Sequence, residues 1–187
     1  SDQRKLLFNV EKKQNHEESK YTSARLVTAQ KQYFKYGKIE ARLKLPKGTG
    51  TWPAFWMLGK NIDEIGWPAC GEIDIMEQVG YAPDTLVGSL HTKAYNWPMN
   101  TQKTNRIFVN NLDDDFHVFA IDWSEKKIDF MVDNKIYLTV KNEHKSNAEW
   151  PLDQDFFIIL NLAIGGDWGG KLGIDDTIFP QRFLVDY

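Results

Sequence analysis

The sequence predicts an all-β protein, built as an antiparallel sandwich or barrel, and three observations carry this prediction. Apolar and polar residues alternate with the period of a strand along most of the chain. No window shows convincing amphipathic helical periodicity, and glycine, proline and asparagine interrupt the chain at short intervals. The length of 187 residues suits one substantial core, without repeat, low-complexity tract or linker. We therefore expect a single domain over residues 1–187.

The alternation predicts individual strands in order. It begins at residues 38–45, where one face would carry Ile39, Ala41, Leu43 and Leu45. Similar patterns follow at residues 116–123, 127–132 and 134–140. Asp133-Asn134, between the last two, predicts a hairpin turn. Residues 155–163 are almost continuously apolar, which predicts a strand covered on both faces, whereas residues 146–153 have room for one short helical turn at most.

Composition argues against several classes of function. The net charge is −3 and no basic stripe is present, so we expect no nucleic-acid partner. The most apolar stretch, residues 156–164, has the length of a strand and is too short to cross a bilayer, so we expect no membrane partner. A single cysteine, Cys70, excludes an internal disulfide and fits neither a structural zinc site nor a redox pair.

The aromatic content points towards a flat apolar ligand. The chain has seven Trp, seven Tyr and eleven Phe. Tryptophan beside proline or glycine in a turn is often partly exposed, and its ring can stack on the C–H face of a sugar. Packing in the core or under loops is the alternative, and it stays open for each ring. The tryptophans in such contexts are Trp52, Trp67, Trp97, Trp150 and Trp168.

Residues 71–80 read GEIDIMEQVG and contain three carboxylates on one predicted strand. In a regular strand Glu72 and Asp74 share a face, and Glu77 points away from them. A β-bulge after Asp74, with one extra residue in the Ile75-Met76 pair, would return Glu77 to the same face. The outer two acids would then lie roughly 5–6 Å apart across one cleft.

Carboxylates in one cluster repel each other, so such a strand indicates a function. Calcium sites usually come from loops rich in Asp, Asn and backbone carbonyls, which this strand is not. Glycoside hydrolysis needs one ionised carboxylate to attack and one protonated acid to donate, and a middle acid can separate their pKa values. A solvated acidic face is the alternative, which the apolar residues between the acids and the adjacent Trp67 disfavour.

The acidic motif belongs to a set of segments that follow one another along nearly the whole chain. They are YTSARL at 21–26, YGKIEAR at 36–42, GTWPAFWML at 50–58, GWPACGEIDIME at 66–77, GSLHT at 88–92 and NLAIGG at 161–166. Together they resemble glycoside hydrolase family 16, in particular its laminarinase (endo-1,3-β-glucanase) branch.

The resemblance implies a jelly-roll β-sandwich of two curved antiparallel sheets with a concave substrate cleft. It implies Glu72 as nucleophile, Glu77 as general acid/base and Asp74 as the residue that orients and tunes Glu72. The implied activity is endo-hydrolysis of β-1,3-glucan, laminarin-like or mixed-linkage, by double displacement with retention, in a secreted enzyme. For Trp52, Trp56 and Trp168 a place in the core stays open. The implied substrate-binding residues are Arg25, Trp52, Trp56, Trp67, His91, Asn161 and Trp168.

Two alternatives to glucan hydrolysis stay open. The same mechanism could act on a galactan such as agarose or carrageenan, although the net acidity and the GGDW loop at 165–168 resemble the laminarinases more. A non-catalytic glucan-binding sandwich is the other alternative. Binding relatives lose one or more of the acids, whereas all three are present here.

The resemblance also bears on ions and on the ends of the chain. It implies no cofactor for catalysis and a structural calcium on the convex face, with Gly37 (through its carbonyl) and Asp186 as two ligands and a third upstream of residue 1. It further implies that an N-terminal strand and loop and the end of the last strand are lacking. A proteolysed or partial chain, one fragment of a two-chain assembly and a deliberate truncation stay open. We expect a polysaccharide as partner, and a monomer unless a second fragment completes the fold.

Overall fold

The computed structural model describes residues 6–12 and 20–187, and within them the chain is almost entirely β. Helical structure in this part of the chain is limited to α1 (Ile62–Ile65), α2 (Gly166–Gly169) and two 3₁₀ turns. The strands are β1 (Leu6–Lys12), β2 (Tyr21–Thr22), β3 (Arg25–Val27), β4 (Gly37–Lys44), β5 (Thr51–Gly59), β6 (Glu72–Glu77), β7 (Thr85–His91), β8 (Lys103–Phe108), β9 (His117–Trp123), β10 (Lys127–Val132), β11 (Lys135–Lys141), β12 (Phe156–Ile164) and β13 (Gln181–Val185).

Two antiparallel sheets pack face to face, which confirms the predicted jelly-roll sandwich. The seven-stranded sheet has the order β11-β10-β9-β4-β13-β1-β2, and the six-stranded sheet has the order β3-β12-β5-β6-β7-β8. Strands that are distant in sequence are neighbours in both sheets, as when β4 pairs with β9 and β5 with β12. The acidic strand β6 lies within the six-stranded sheet, between β5 and β7. No helix among the described residues is long and apolar enough to cross a membrane.

The core lies between the two sheets, and the predicted alternation of β4 builds one side of it. Ile39, Ala41 and Leu43 are buried, and they alternate with residues that remain accessible. Trp123 of β9 and Phe156 of β12 meet across the layers, with ring centroids 5.3 Å apart and planes at 80°. Edge-to-face aromatic contact of this kind adds to the free energy gained by burial.

The hairpin between β10 and β11 confirms the predicted turn. Val132 pairs with Lys135, and the two residues between them, Asp133 and Asn134, have φ of 47° and 63°. Two consecutive positive φ angles are typical of a type I′ turn, for which Asp and Asn are favoured. The four-residue helices α1 and α2 were not predicted, because a single turn leaves no periodicity in a sequence.

The prediction for β12 was half right. Phe156 and Phe157 at its start are buried, but Asn161 and Ala163 near its end are only partly covered. These later side chains face the open side of the six-stranded sheet and line a cleft there. The first part of β12 is therefore covered on both faces and its last part on one face only. The continuous apolar sequence gives no sign of this change.

The proposed pairing of Gly37 and Asp186 as calcium ligands is wrong. Asp186 lies opposite Arg42, and its carboxylate forms an ion pair with that guanidinium at 2.7 Å. Gly37 lies five residues further along β4, opposite Trp123. At the rise of a β-strand, five residues separate the two sites by about 16 Å, too far for one ion. The distance between Gly37 and Asp186 is set by the register of β13 on β4, which the sequence does not reveal.

Candidate active site

The predicted bulge is present in β6. The segment Asp74–Glu77 of β6 faces Val87–Ser89 of β7, so three steps on one strand match two on the other. The same irregularity appears against β5. The extra residue belongs to the pair Ile75-Met76. Both side chains have 0% exposure and point into the core. The bulge thus places Glu72, Asp74 and Glu77 on one face, as the sequence predicted.

These acids form the floor of a cleft of about 520 Å³ on the open face of the six-stranded sheet. Its walls are formed by β5, β12 and β3, which lie on one side of β6. One row of paired residues runs across these strands to the acids. In this row Arg25 pairs with Asn161, Asn161 with Ala54, and Ala54 with Glu77. The structure therefore brings the predicted sugar-binding residues Arg25 and Asn161 into the same cleft as the acids.

Glu72 and Asp74 are buried carboxyl groups in contact with each other. Burial raises the pKa of Glu72 well above its ordinary value, and the charge of Asp74 raises it further. Burial, followed by the charge of Glu77, likewise raises the pKa of Asp74, and contact with the Glu72 carboxyl group lowers it in part. Two neighbouring buried carboxyl groups do not readily ionise together, so one of this pair keeps its proton when the other is ionised.

Glu77 has different surroundings from the other two acids. Burial raises its pKa, while a hydrogen bond donated by Trp52 Nε1 to Oε1, at 3.0 Å, lowers it in part. The charges of His91 and Arg106 act in the same lowering direction. Burial outweighs them, so Glu77 holds its proton to a higher pH than an exposed glutamate. This is the property that a general acid requires.

His91, which the family resemblance places among the site residues, lies beside the first two acids. Its Nε2 is 3.2 Å from Asp74 Oδ2 and 3.9 Å from Glu72 Oε1, and the ring is buried. Burial lowers the pKa of His91 and favours the neutral imidazole. The Trp67 indole lies against it, with ring centroids 6.0 Å apart, and its interaction with Glu72 lowers the pKa of that carboxyl group in part. Trp67 is also 37% exposed, which leaves ring surface for a ligand.

The structure shows where the three tryptophans lie for which the sequence did not decide between core and cleft. Trp52 and Trp56 line the cleft. Trp56 Nε1 donates to Asn161 Oδ1 at 2.7 Å, and the Arg25 guanidinium carbon lies 5.0 Å from the Trp56 ring centre. Trp168 packs edge-on against Trp52, with centroids 5.4 Å apart. Trp168 therefore supports the cleft through Trp52 and is not among the residues that line it.

Arg106 was missed by the sequence analysis. It is exposed on β8, paired with Val87, which in turn pairs with Glu77. Its guanidinium carbon lies 5.9 Å from the Trp168 ring centre, and its charge lowers the pKa of Glu77. No motif marks this arginine. The alternation of β8 shows which face it occupies, but only the pairing of three strands shows that it lies in the same row as Glu77.

A metal ion is a second chemical option at the acids. Among the described residues, Glu72, Asp74 and His91 offer ligand atoms that all lie within 4.8 Å of one another. Metal ligands must be deprotonated, however. Burial raises the pKa of both Glu72 and Asp74, which opposes the loss of protons that metal binding requires.

Comparisons with known proteins agree with this geometry. The model of glycosyl hydrolases family 16 matches residues 2–179. A beta-glucanase from Rhodothermus marinus is 46% identical over 179 residues, which cover 92% of this chain and 63% of the relative. The chain thus spans under two thirds of that relative's length.

Two solved structures have the same fold over nearly the whole chain. A laminarinase from Flavobacterium sp. UMI-01 is 49% identical with a TM-score of 0.91, covering 99% of this chain and 77% of that one. The laminarinase from Rhodothermus marinus is 43% identical with a TM-score of 0.93, covering 97% and 75%. The chain, with its bulged Glu-x-Asp-x-x-Glu strand in a jelly-roll cleft, belongs to glycosyl hydrolases family 16.

Proposed function

We propose that this protein hydrolyses internal linkages of β-1,3-glucan, laminarin-like or mixed-linkage, with retention of anomeric configuration. One observation carries the proposal: the bulge in β6 puts two differently held acids in one open cleft. Glu72 lies beside Asp74 and Trp67, whereas Glu77 accepts a hydrogen bond from Trp52. Two carboxyl groups with different environments are what a retaining glycosidase needs.

In the first step, a Glu72 oxygen attacks the anomeric carbon while Glu77 donates its proton to the glycosidic oxygen, whose bond to that carbon breaks. The departing chain leaves as an alcohol, and the remaining sugar is esterified to Glu72. In the second step, Glu77 takes a proton from water, the water oxygen attacks the same carbon, and Glu72 is released. Because Glu72 must be ionised to attack, the proposed mechanism places the proton of this carboxyl pair on Asp74.

The substrate class is supported by the relatives and by the cleft. The relatives carry the names beta-glucanase and laminarinase. Trp52 and Trp56 offer apolar ring surface in the cleft, while Arg25 and Asn161 offer hydrogen bonds to hydroxyl groups. The cleft is open to solvent on the face of the six-stranded sheet, and an internal segment of a polymer could lie in it. Because such a polymer cannot enter a cell, we propose that the protein is secreted.

The experiment compares reducing-sugar release from laminarin, lichenan and agarose, with product anomers followed by NMR. We expect release from laminarin with retention, and weak or no release from agarose. Preferential agarose cleavage would instead establish the galactan alternative. Binding of laminarin without any release would establish the glucan-binding alternative.

The matched variant is Glu72→Gln, which keeps the shape of the side chain and removes the nucleophile. We expect laminarin hydrolysis to fall by about 10³-fold or more, because removal of a nucleophile abolishes the covalent step. Glucan binding, measured by affinity electrophoresis, should remain within about threefold, since the walls of the cleft are untouched. Hydrolysis by this variant at a rate comparable with the wild type would show that the nucleophile is assigned wrongly.

A further inference from the structure

The bulge interrupts the ladder between β6 and β7 and so needs support from elsewhere. An extra residue in a bulge is left without its ladder partner. The carbonyl of Ile75, inside the bulge, accepts a hydrogen bond from the Tyr137 hydroxyl at 3.3 Å. Tyr137 belongs to β11, which lies at the edge of the opposite, seven-stranded sheet. A residue 62 positions away in sequence therefore contacts the backbone that separates Asp74 from Glu77.

The space around this hydroxyl is closely fitted. A Cβ on Gly88 of β7 would lie 2.3 Å from the Tyr137 hydroxyl oxygen, so only glycine leaves room for it there. Asn105 Nδ2 donates to the Tyr137 carbonyl at 2.7 Å, which joins β11 to β8. The ring packs against Phe130 with centroids 6.4 Å apart. The phenol therefore fits between Gly88 and Phe130, Asn105 holds its backbone, and its oxygen is aimed at the bulge.

Burial and the negative charge of the site keep the Tyr137 hydroxyl protonated, so that it remains a hydrogen-bond donor. Burial raises the pKa of Tyr137, and the negative charges of Asp74 and Glu77 raise it further. The hydroxyl therefore retains its proton at any pH at which the acids work. A donor that cannot ionise gives the bulge carbonyl a permanent partner.

We propose that Tyr137 is a positioning residue that holds the bulge of β6 and thereby sets where Glu77 lies relative to Glu72. The inference rests on the proposed function, because it concerns the placement of the same acid. Its physical basis is register: a strand that loses its bulge turns Glu77 to the opposite face. Even a partial relaxation matters, because a displacement of about 1 Å at a reacting group costs on the order of 10²-fold in rate.

The test compares Tyr137→Phe with Tyr36→Phe. The control loses a similar hydrogen bond, from Tyr36 Oη to Asp153 Oδ1 at 2.8 Å, and keeps its ring edge-on to Trp123 away from the acids. Each variant should lower the melting temperature by about 2–4 °C. We expect Tyr137→Phe to lower kcat on laminarin by about 10- to 100-fold with KM within about twofold, while Tyr36→Phe keeps both. Assays run well below both melting temperatures.

Hydrogen exchange supplies a readout that does not need activity. Amide exchange in residues 72–78 should accelerate in Tyr137→Phe and stay unchanged in Tyr36→Phe. An unchanged kcat together with unchanged exchange overturns the proposal, and so does an equal effect of both variants. If the wild type hydrolyses no glucan, the proposed function fails, whereas exchange at residues 72–78 still decides whether Tyr137 holds the bulge.

Discussion

At the scale of single residues, the three acids differ because their neighbours differ. Glu72 lies beside Trp67 and Asp74, and Asp74 is almost fully enclosed. Glu77 instead accepts from Trp52 and lies in a row with Arg106. These contacts give two chemically identical side chains the different environments that the proposed nucleophile and proton donor require.

Replacement of Glu77 by alanine tests the assignment of the proton donor. Glu77→Ala should slow laminarin hydrolysis by about 10²- to 10⁴-fold, because the departing sugar is a poor leaving group without a proton. An aryl β-glucoside with a low-pKa phenol should suffer far less, and added azide should restore turnover by taking the place of water. Equal losses on both substrates without rescue by azide would remove Glu77 from this role.

The charge of Arg106 should appear in the pH profile. The charged and titratable groups around Glu77 are Glu72, Asp74, His91, Arg106 and Tyr137. Glu77 must be protonated to donate, so activity is lost as the pH rises through its pKa. Arg106 lowers that pKa by stabilising the anion. Arg106→Gln should therefore move the basic limb of kcat/KM to higher pH.

Two controls accompany the Arg106 variant. Arg106→Lys keeps the positive charge, so its basic limb should stay close to that of the wild type. Because Arg106 is exposed, high salt should reduce the difference between wild type and Arg106→Gln. A basic limb that moves to lower pH, or that ignores salt, would contradict the electrostatic explanation.

At the scale of elements, one bulge and one turn determine where the side chains near the site lie. The bulge in β6 turns Glu77 into the cleft, and the turn at Asp133-Asn134 sets the register of β10 on β11. Asp133 also accepts from Val118 N at 2.9 Å and contacts His117 Nδ1 at 2.7 Å, which ties the turn to β9. Tyr137 is the unpaired residue at which the register of β11 on β10 shifts, and from there its hydroxyl reaches the bulge of β6.

Substitution of Asn134 tests the turn. Its φ of 63° is easy for Asn and Gly but costly for a β-branched residue. Asn134→Val should destabilise the protein by about 1–2 kcal/mol, whereas Asn134→Gly should be neutral or slightly stabilising. In a chain of this size, 1 kcal/mol corresponds to roughly 2–4 °C in melting temperature. Equal melting temperatures for the two variants would show that the left-handed conformation is not required there.

At the scale of the whole molecule, the packing between the sheets holds the cleft in shape. Phe156 of β12 is 0% exposed and meets Trp123 of β9 across the core. The same strand continues to Asn161 in the cleft, where it pairs with Arg25 and Ala54. A loss of packing at one end of β12 is thus transmitted along a strand that carries a binding residue.

Truncation of Phe156 tests this packing. Phe156→Ala should cost about 3–5 kcal/mol in the free energy of unfolding, the range for a buried Phe that leaves a cavity. Phe108→Ala is the control, because Phe108 is 74% exposed and should change stability by less than about 0.5 kcal/mol. Denaturant unfolding followed by tryptophan fluorescence measures both. A similar loss in both variants would contradict a core located between the sheets.

Much of the site could be predicted because its cause is local. The spacing of Glu72, Asp74 and Glu77 conflicts with a regular strand, and only a bulge reconciles it with a shared face. The alternation in β4 and the residues of the type I′ turn are equally local, and the structure has both. Side-chain alternation within a strand and backbone conformation at a turn depend on residues only a few positions apart, so the sequence alone determined them.

Other features were decided by tertiary structure. Gly37 and Asp186 lie far apart, Arg106 shares a row with Glu77, and the Tyr137 hydroxyl reaches the bulge. Each of these depends on which strands pair, in what register, and which sheet faces which. These pairings join residues that are distant in the chain, and a shift of one residue reverses every side chain of a strand. The sequence by itself therefore determined the acids, their bulge and the all-β class, while the tertiary structure decided which charges and hydroxyl groups surround those acids.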